Sequence, residues 1–314
     1  MKKTLLTCLL VVSALTQIFA VEKQKIIIYT DIGDDIDDIY AVSLALASPE
    51  FEILGIVVGY GNTPKRGPIA CRLLYEVGRE DIPVVIGRKT NDTYWNQYYW
   101  GEGFNKVKPI KQAADDFIIE QLKKYPNEVT LVLLAPIPDI ADVIKKDPQA
   151  LKLAKQTVSM MGSFYLGYEN SVPSAEWNVV ADLNAAKEFI PYDVKKTLAG
   201  LDITIFVKLI KKYRNRIFLR NSPLTDCIAA LYTLQRYEKY SLPDSNLFDM
   251  VAVGILLWPD LYKVRSAYIK VTENGYTVID ESKAPNSQIG MSVDKNELLK
   301  RFTERILRQN LMRK

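Results

Sequence analysis

The chain has 314 residues, of which 48% are hydrophobic and 25% are charged, the balance of a globular protein with a sizeable core. The formal net charge is only +4, so the composition carries no electrostatic footprint for nucleic acid or an anionic membrane. Histidine is absent from the whole chain, which excludes a histidine triad, a histidine metal ligand and a histidine general acid.

The first 20 residues have the pattern of a secretory signal peptide. Two lysines precede an apolar run, Leu5 to Leu15, that is too short to span a bilayer, and Ala20 is a small residue suited to cleavage. Two alternatives stay open, a lipoprotein cysteine at Cys8 and an uncleaved anchor. We expect a secreted or periplasmic protein with no membrane association after cleavage, and a mature domain over 21–314.

Strand-like and helix-like segments alternate along the following part of the chain. Apolar runs of strand type are separated by segments with helical periodicity. The predicted strands are Lys25–Thr30, Ile53–Gly59, Ile82–Ile86, Val129–Leu134 and Val158–Met161, and the predicted helices are Ile36–Ala47, Ile69–Val77 and Ala113–Lys124. Most of these strands are apolar throughout, which is typical of a parallel sheet that helices cover on both faces.

Beyond residue 200 the pattern is looser. The predicted elements there are helices Leu224–Tyr237 and Phe248–Leu257, a hairpin of Ala267–Val271 and Tyr276–Ile279, and a closing helix Lys295–Arg313. The sequence therefore predicts one α/β domain with a mostly parallel, doubly wound sheet, helices on both faces and a small C-terminal hairpin. In such a sheet, ligands bind beyond the carboxyl ends of the strands.

An aspartate cluster follows the first predicted strand. Its members are Asp31, Asp34, Asp35, Asp37 and Asp38. The last two open a predicted helix, where the helix dipole favours negative charge, but capping needs only one or two carboxylates. A hard cation such as Ca²⁺, which binds carboxylate and carbonyl oxygens, removes the repulsion among the others. From the spacing alone, the alternative is a solvated acidic turn.

The stretch "YTDIGDDIDDIYAV" resembles the N-terminal fingerprint of the inosine-uridine preferring nucleoside hydrolase family, in a variant with two more residues in the turn. The resemblance continues in family order through "GIVVGYGNTPKRGPIACRLLYEVGREDIPVVIG", "VTLVLLAPIPDIADVIKKDP", "MMGSF", "NSVPSAEWNVVADLNAAKEF" and "LFDMVAVGILLWPDLY". It covers nearly all of the mature chain. The resemblance implies a Ca²⁺-dependent glycosidase that cleaves a ribonucleoside, or a related N-riboside, to ribose and free base.

The resemblance also implies a role for each matched position. Asp31 would take the proton from the attacking water. The implied metal ligands are Asp31, Asp38, Asp249 and the backbone carbonyl of Leu134. The implied substrate-binding residues are Asp37, Asn62, Met161, Asn170, Glu176, Asn178 and Phe248. The longer turn leaves open whether Asp35 takes the role of Asp37. Carboxylates suit this reaction because the sugar becomes oxocarbenium-like in the transition state.

Two departures from the family pattern bear on the chemistry. Phe248 stands where inosine-uridine type members have the histidine that protonates the leaving group, and a phenyl ring can stack but cannot protonate. A tyrosine of the aromatic stretch 93–104, or Glu102, is an alternative acid. That stretch is either a lid over the leaving group or a packed loop or subunit contact. Tyr29 replaces the first family aspartate, which predicts a less acidic metal site.

Two functions therefore stay open. The enzyme is favoured by the retained metal-ligand aspartates, whereas the missing histidine favours a non-catalytic relative that binds a nucleoside or ribose and has lost leaving-group activation. We expect a small-molecule nucleoside or N-riboside as the partner, and no nucleic acid. The sequence leaves open a homo-oligomer, either a dimer or a tetramer.

Overall fold

A computed structural model describes residues 22–238 and 244–313. The predicted signal peptide lies outside these residues. The strands are β1 (Gln24–Thr30), β2 (Phe51–Val58), β3 (Val84–Ile86), β4 (Val129–Leu133), β5 (Gln156–Met160), β6 (Lys196–Ala199), β7 (Lys208–Leu209), β8 (Ser245–Asn246), β9 (Tyr262–Ala267), β10 (Ile269–Val271), β11 (Thr277–Ile279) and β12 (Ser287–Val293).

Helices connect most of these strands. The α-helices are α1 (Asp37–Leu46), α2 (Thr63–Glu76), α3 (Tyr98–Gly101), α4 (Ala114–Lys124), α5 (Pro138–Lys146), α6 (Trp177–Val180), α7 (Leu183–Phe189), α8 (Leu201–Thr204), α9 (Lys211–Phe218), α10 (Pro223–Glu238), α11 (Phe248–Leu257) and α12 (Lys295–Arg308). Short 3-10 helices cover Ala150–Leu153, Tyr168–Asn170 and Pro259–Leu261.

The central sheet has the strand order β3-β2-β1-β4-β5-β6-β12-β9 among the described residues. Neighbouring strands are parallel, except that β9 is antiparallel to β12. The chain runs outward from β1 through β2 to β3, and then returns to the other side of β1 to form β4. This reversal leaves a crevice at the carboxyl ends of β1 and β4, the usual ligand site of such sheets. The predicted single-domain α/β architecture is confirmed.

Strand β1 explains why helices cover both faces of the sheet. Ile26 and Ile28 belong to one buried cluster, which also contains side chains of α1, α2 and α11. Ile27 and Tyr29 belong to a second cluster, with side chains of α4, α5 and α7. Because successive side chains of a strand point to opposite faces, an apolar run such as β1 must be covered on both sides.

The elements that sequence patterns missed lie mostly in the second half of the chain. Strands β6 and β12 extend the parallel sheet, and β9 adds its antiparallel edge. Helix α2 begins earlier than predicted, at Thr63, because Pro64 fits its first turn, where no N–H donor is needed. The predicted hairpin is confirmed as β10 and β11. No helix in the described ranges has the length and apolar character needed to cross a bilayer.

Gly59 follows β2 and touches the ring of Tyr29. A Cβ atom at Gly59 would lie 2.0 Å from the Tyr29 Oη and Cζ atoms. We expect Gly59→Ala to lower the free energy of unfolding by about 1–3 kcal/mol, because the added methyl group overpacks the core. Urea denaturation followed by tryptophan fluorescence measures this loss. A loss below about 0.5 kcal/mol, the range of an ordinary surface substitution, would contradict the contact.

Candidate active site

A cavity of about 310 Å³ opens at the carboxyl ends of β1, β4 and β5. Asp31 follows β1, Leu134 follows β4 and Met160 ends β5. The residues that line the cavity are Asp31, Asp34, Asp35, Asp37, Asp38, Trp95, Leu134, Met160, Tyr168, Glu176, Trp177, Asn178, Phe248 and Asp249. The whole predicted aspartate cluster therefore faces one cavity, at the sheet edge where the sequence places it.

Three buried carboxylates meet in this cavity. Asp37, Asp38 and Asp249 each place an oxygen within 4.8 Å of the others. Two of them lie in the first turn of α1 and the third lies in the first turn of α11, so two helix N-termini direct their positive ends at the negative cluster. The backbone N–H of Asp249 donates to Asp37 Oδ2 at 3.2 Å. We call these three residues the aspartate triplet.

The electrostatics of the triplet fit a bound cation. Burial raises the pKa of Asp37, Asp38 and Asp249 well above the usual range of a carboxyl group. A neighbouring carboxylate is the next contribution to each raised pKa: Asp35 for Asp37, Asp31 for Asp38, and Asp37 for Asp249. Carboxylate oxygens are the ligands that hard divalent cations prefer. The donor set therefore fits a divalent metal ion, which would remove the repulsion.

Asp31 lies outside the triplet and faces a buried arginine. Arg66 Nη2 lies 4.0 Å from Asp31 Oδ2 and 3.8 Å from Asp34 Oδ2. The same guanidinium donates to the backbone carbonyls of Asp31, Ile32 and Tyr60. Burial raises the pKa of Asp31 to about 7, and Arg66 opposes this shift. Arg66 therefore holds the acidic turn in place and supplies it with one positive charge.

Glu176 and Asn178 form a second polar wall. Glu176 caps α6, because its Oε1 accepts the Asn178 N–H at 2.8 Å, and its Oε2 accepts the Gly162 N–H at 3.0 Å. Burial raises the pKa of Glu176 to about 7. Asn178 Nδ2 donates to the carbonyl of Met160 at 3.0 Å and lies 3.5 Å from that of Leu134. Both side chains are therefore fixed at the cavity wall, where sugar hydroxyls can meet them.

Three predicted site residues do not line the cavity. Asn62 immediately precedes α2 and is buried, and its Nδ2 lies 3.5 Å from the Thr93 carbonyl oxygen. Asn170 is exposed and has a left-handed backbone, with a φ of 62°. Met161 is buried in the second core cluster, and Met160 faces the cavity in its place. The other predicted site residues all line the cavity, namely Asp31, Asp37, Asp38, Leu134, Glu176, Asn178, Phe248 and Asp249.

The aromatic stretch 93–104 is partly a packed loop and partly a cavity wall. Tyr98 is buried in the first core cluster, whereas Trp95 lines the cavity. Glu102 is exposed and lies outside the cavity lining. Two aromatic residues from another segment join Trp95 at the cavity, Tyr168 and Trp177. The latter pair was not predicted, because each lies in a loop or a very short helix without a recognisable periodicity.

Arg66 was also missed, although the sequence contains a signal for it. Arg66 occupies the same face of α2 as Ala70 and Leu73, at helical spacing, and that face is buried. A charged residue on an otherwise apolar helix face needs a partner of opposite charge. The acidic turn after β1 is that partner.

Tyr29 makes contacts away from the triplet. Its hydroxyl donates to Asp139 Oδ2 at 2.6 Å, and Asp139 Oδ1 accepts the Arg88 N–H at 2.7 Å. Tyr29 and Asp139 therefore form one buried hydrogen-bonded pair.

Buried carboxylates at the switch point of a doubly wound sheet fit a metal-assisted hydrolase. The sequence profile of the inosine-uridine preferring nucleoside hydrolases matches residues 26–300, and the chain belongs to this family. The protein is therefore a hydrolase that acts on N-glycosyl bonds, and the family predicted from the motifs is confirmed.

Individual relatives agree with this assignment over nearly their whole length. The chain is 28% identical to the pyrimidine-specific ribonucleoside hydrolase RihB of Escherichia coli O1:K1, over 87% of this chain and 94% of the relative. It is similar to the solved plant nucleoside hydrolase PpNRh1, with a TM-score of 0.81 and 25% identity over 91% and 99% of the two chains. The purine-preferring ribonucleoside hydrolase of Gardnerella vaginalis gives a TM-score of 0.79 and 25% identity over 90% and 98%.

The Tyr29–Asp139 pair yields a stability prediction. We expect Tyr29→Phe to lower the free energy of unfolding by about 1–3 kcal/mol, because it leaves the buried Asp139 carboxylate without one hydrogen bond. Calorimetric metal titration of the same variant should give the wild-type affinity, since Tyr29 does not contact the triplet. A large loss of metal affinity without loss of stability would contradict this placement.

The raised pKa values predict how stability depends on pH when metal is removed. Asp31 and Glu176 have pKa values of about 7 in the folded chain, above those of unfolded carboxyl groups, so the folded state binds more protons between about pH 4 and pH 7. With a chelator present, the melting temperature should therefore fall as the pH rises through this window. Adding a divalent cation at pH 7.5 should restore it. A chelated protein that becomes more stable over the same window would refute the assignment.

Proposed function

We propose that this protein is a Ca²⁺-dependent N-ribohydrolase that cleaves the N-glycosidic bond of a ribonucleoside, or of a related N-riboside, to ribose and free base. The observation that carries the proposal is the convergence in one cavity of the triplet, Asp31 and the Glu176–Asn178 pair. Family membership supplies the reaction class. The geometry supplies the groups that the reaction needs.

Calcium is the metal that we propose. The triplet offers only carboxylate oxygens, and the Leu134 carbonyl at the cavity wall is a further oxygen donor of the type that Ca²⁺ accepts. Asp38 and Asp249 belong to the triplet, as predicted for metal ligands, and Asp37 joins them. A divalent cation held there supplies Lewis-acid chemistry, which makes water more acidic and anchors sugar hydroxyls.

Asp31 is the proposed general base. Its pKa of about 7 lies near neutrality, where a carboxylate can accept a proton and release it again. Arg66 fixes the backbone carbonyl of Asp31, and this limits the directions in which the carboxylate can face. The proton of the attacking water passes to the Asp31 carboxylate as the water oxygen approaches C1′ of the sugar.

The sugar is held by groups that stabilise positive charge. Glu176 and Asn178 offer an acceptor and a mixed donor and acceptor to ribose hydroxyls. Asp37 is the proposed partner of a further hydroxyl. Because the carboxylates surround the ring, they stabilise the oxocarbenium-like transition state as the bond to the base breaks.

Phe248 lies where the base is expected to leave, and its ring forms an edge-to-face pair with that of Tyr168 at 6.4 Å. Neither ring can replace a histidine as the general acid for the leaving group. The alternative function, a non-catalytic binding protein, rests on this observation. Turnover decides between the two functions.

We further propose export by the N-terminal signal, so that the mature enzyme acts on nucleosides outside the cytoplasm.

Asp31→Asn tests the proposed base. The amide keeps the shape of the side chain but cannot accept the proton, so we expect kcat to fall at least about 10³-fold while the fold is retained. Release of ribose from a panel of purine and pyrimidine nucleosides, with Ca²⁺ and with chelator, provides the measurement. The matched control is Asp193→Asn, an exposed aspartate outside the cavity.

Three results would count against the proposal. They are wild-type turnover in Asp31→Asn, turnover of the wild-type protein that persists in chelator, and saturable nucleoside binding without any release of ribose. The last of these would support the non-catalytic alternative.

A further inference from the structure

The cavity lining has an unusual balance of charge. Seven of its residues carry carboxyl groups, and no lysine or arginine is found among the described residues that line it. One divalent cation and the Arg66 guanidinium behind the wall together supply three positive charges. The cavity is therefore lined by more carboxyl groups than one divalent cation and one guanidinium can neutralise. A positively charged ligand would complete the balance.

Aromatic rings form the rest of the wall. Trp95, Tyr168, Trp177 and Phe248 line the same cavity as the carboxylates. Tyr168 and Phe248 meet edge to face with an interplanar angle of 82°, so their ring faces point in different directions. Aromatic faces bind flat rings by stacking and attract cations through their quadrupoles. Rings combined with carboxylates suit a flat aromatic cation.

The cavity lacks the side chain that proteins most often use to protonate a leaving group. Histidine is absent from the chain. The Tyr168 hydroxyl accepts a hydrogen bond from the backbone N–H of Trp177 at 3.0 Å. Burial, followed by the Glu176 carboxylate, raises the pKa of Tyr168, so this hydroxyl keeps its proton. A neutral nucleoside, whose base leaves as an anion unless it is protonated, would gain no help from a histidine here.

We propose that the preferred substrates are N-ribosides whose leaving group already carries a positive charge, the ribosylpyridinium class. This inference rests on the proposed function and names the substrate class of the same site. The water oxygen forms a bond to C1′, and the bond from C1′ to the ring nitrogen breaks. The electron pair of the broken bond goes to the ring nitrogen, which leaves as a neutral pyridine. The water proton passes to Asp31, and the other product is ribose.

Asp35 is the proposed charge-selecting residue of the cavity. It lines the cavity, and its Oδ1 accepts hydrogen bonds from the Ile36 N–H and from Gln235 Nε2 of α10. The Gln235 side chain is buried, and its Oε1 has no hydrogen-bond partner among the described atoms. Rotation of this amide would let it accept a hydrogen bond from an asparagine side chain. Asp35→Asn therefore removes a charge with little change of shape.

Steady-state kinetics on three ribosides test the inference. They are a ribosylpyridinium salt, uridine, and 4-nitrophenyl riboside, a neutral substrate whose aglycone leaves as the 4-nitrophenolate anion without an acid. We expect kcat/KM for the pyridinium to exceed that for uridine at least about 100-fold, because only the former leaves without protonation. We also expect KM for the pyridinium to be about tenfold below that for the nitrophenyl riboside, because only the cation is attracted by the cavity.

Asp35→Asn separates charge recognition from leaving-group ability. The ratio of kcat/KM for the pyridinium to that for the nitrophenyl riboside should fall about fivefold. The control Asp92→Asn, an exposed aspartate outside the cavity, should leave the ratio at its wild-type value. Calorimetric Ca²⁺ titration of both variants corrects for any change in metal occupancy.

Each outcome has a separate meaning. If the nitrophenyl riboside and uridine are cleaved but the pyridinium is not preferred, or if the ratio does not change in Asp35→Asn, the inference is overturned and the proposed function stands. If none of the ribosides is cleaved in the presence of Ca²⁺, the proposed function fails, and the inference fails with it.

Discussion

The constraint on which the structure depends is the burial of several like charges in one place. Asp37, Asp38 and Asp249 meet at the N-termini of two helices, and Asp31 adds a further carboxylate beside them. Burial of unpaired charge is costly, so such a cluster persists only with protons, a cation or a guanidinium to compensate it. Arg66 compensates one side, and the triplet is suited to a metal ion on the other. Hydrolytic chemistry uses the same charges, because the transition state is positive.

Much of this arrangement could be predicted from sequence. The apolar run of β1 fixed the parallel sheet, and the position of the aspartates after that strand placed them at the ligand-binding edge. The family motifs gave Glu176, Asn178 and Asp249, which lie far apart in sequence but line one cavity. These predictions succeeded because they depend on local patterns, namely strand apolarity, helix starts and short motifs in a fixed order.

The rest depends on packing between distant segments, which no local pattern reports. A motif match cannot tell whether Met160 or Met161 turns toward the cavity, because a shift of one residue on a strand reverses the face. Tyr168 and Trp177 reach the cavity from loops that lack periodicity. Nor could a local pattern show that the Tyr29 hydroxyl donates to Asp139, on the opposite face of the sheet from α1. Strand β9 contains several exposed polar residues, so its sequence gives only a weak indication of a strand.

The hydrogen bond from the Asp249 backbone to Asp37 joins positions 212 residues apart. The ion-binding constellation therefore cannot exist in a nascent or truncated chain that lacks α11, however complete its N-terminal half. Assembly of the triplet requires closure of this long loop, and contacts of large sequence separation form slowly during folding. A molecule clipped before α11 would keep the acidic turn after β1 but would lack the third carboxylate of the triplet.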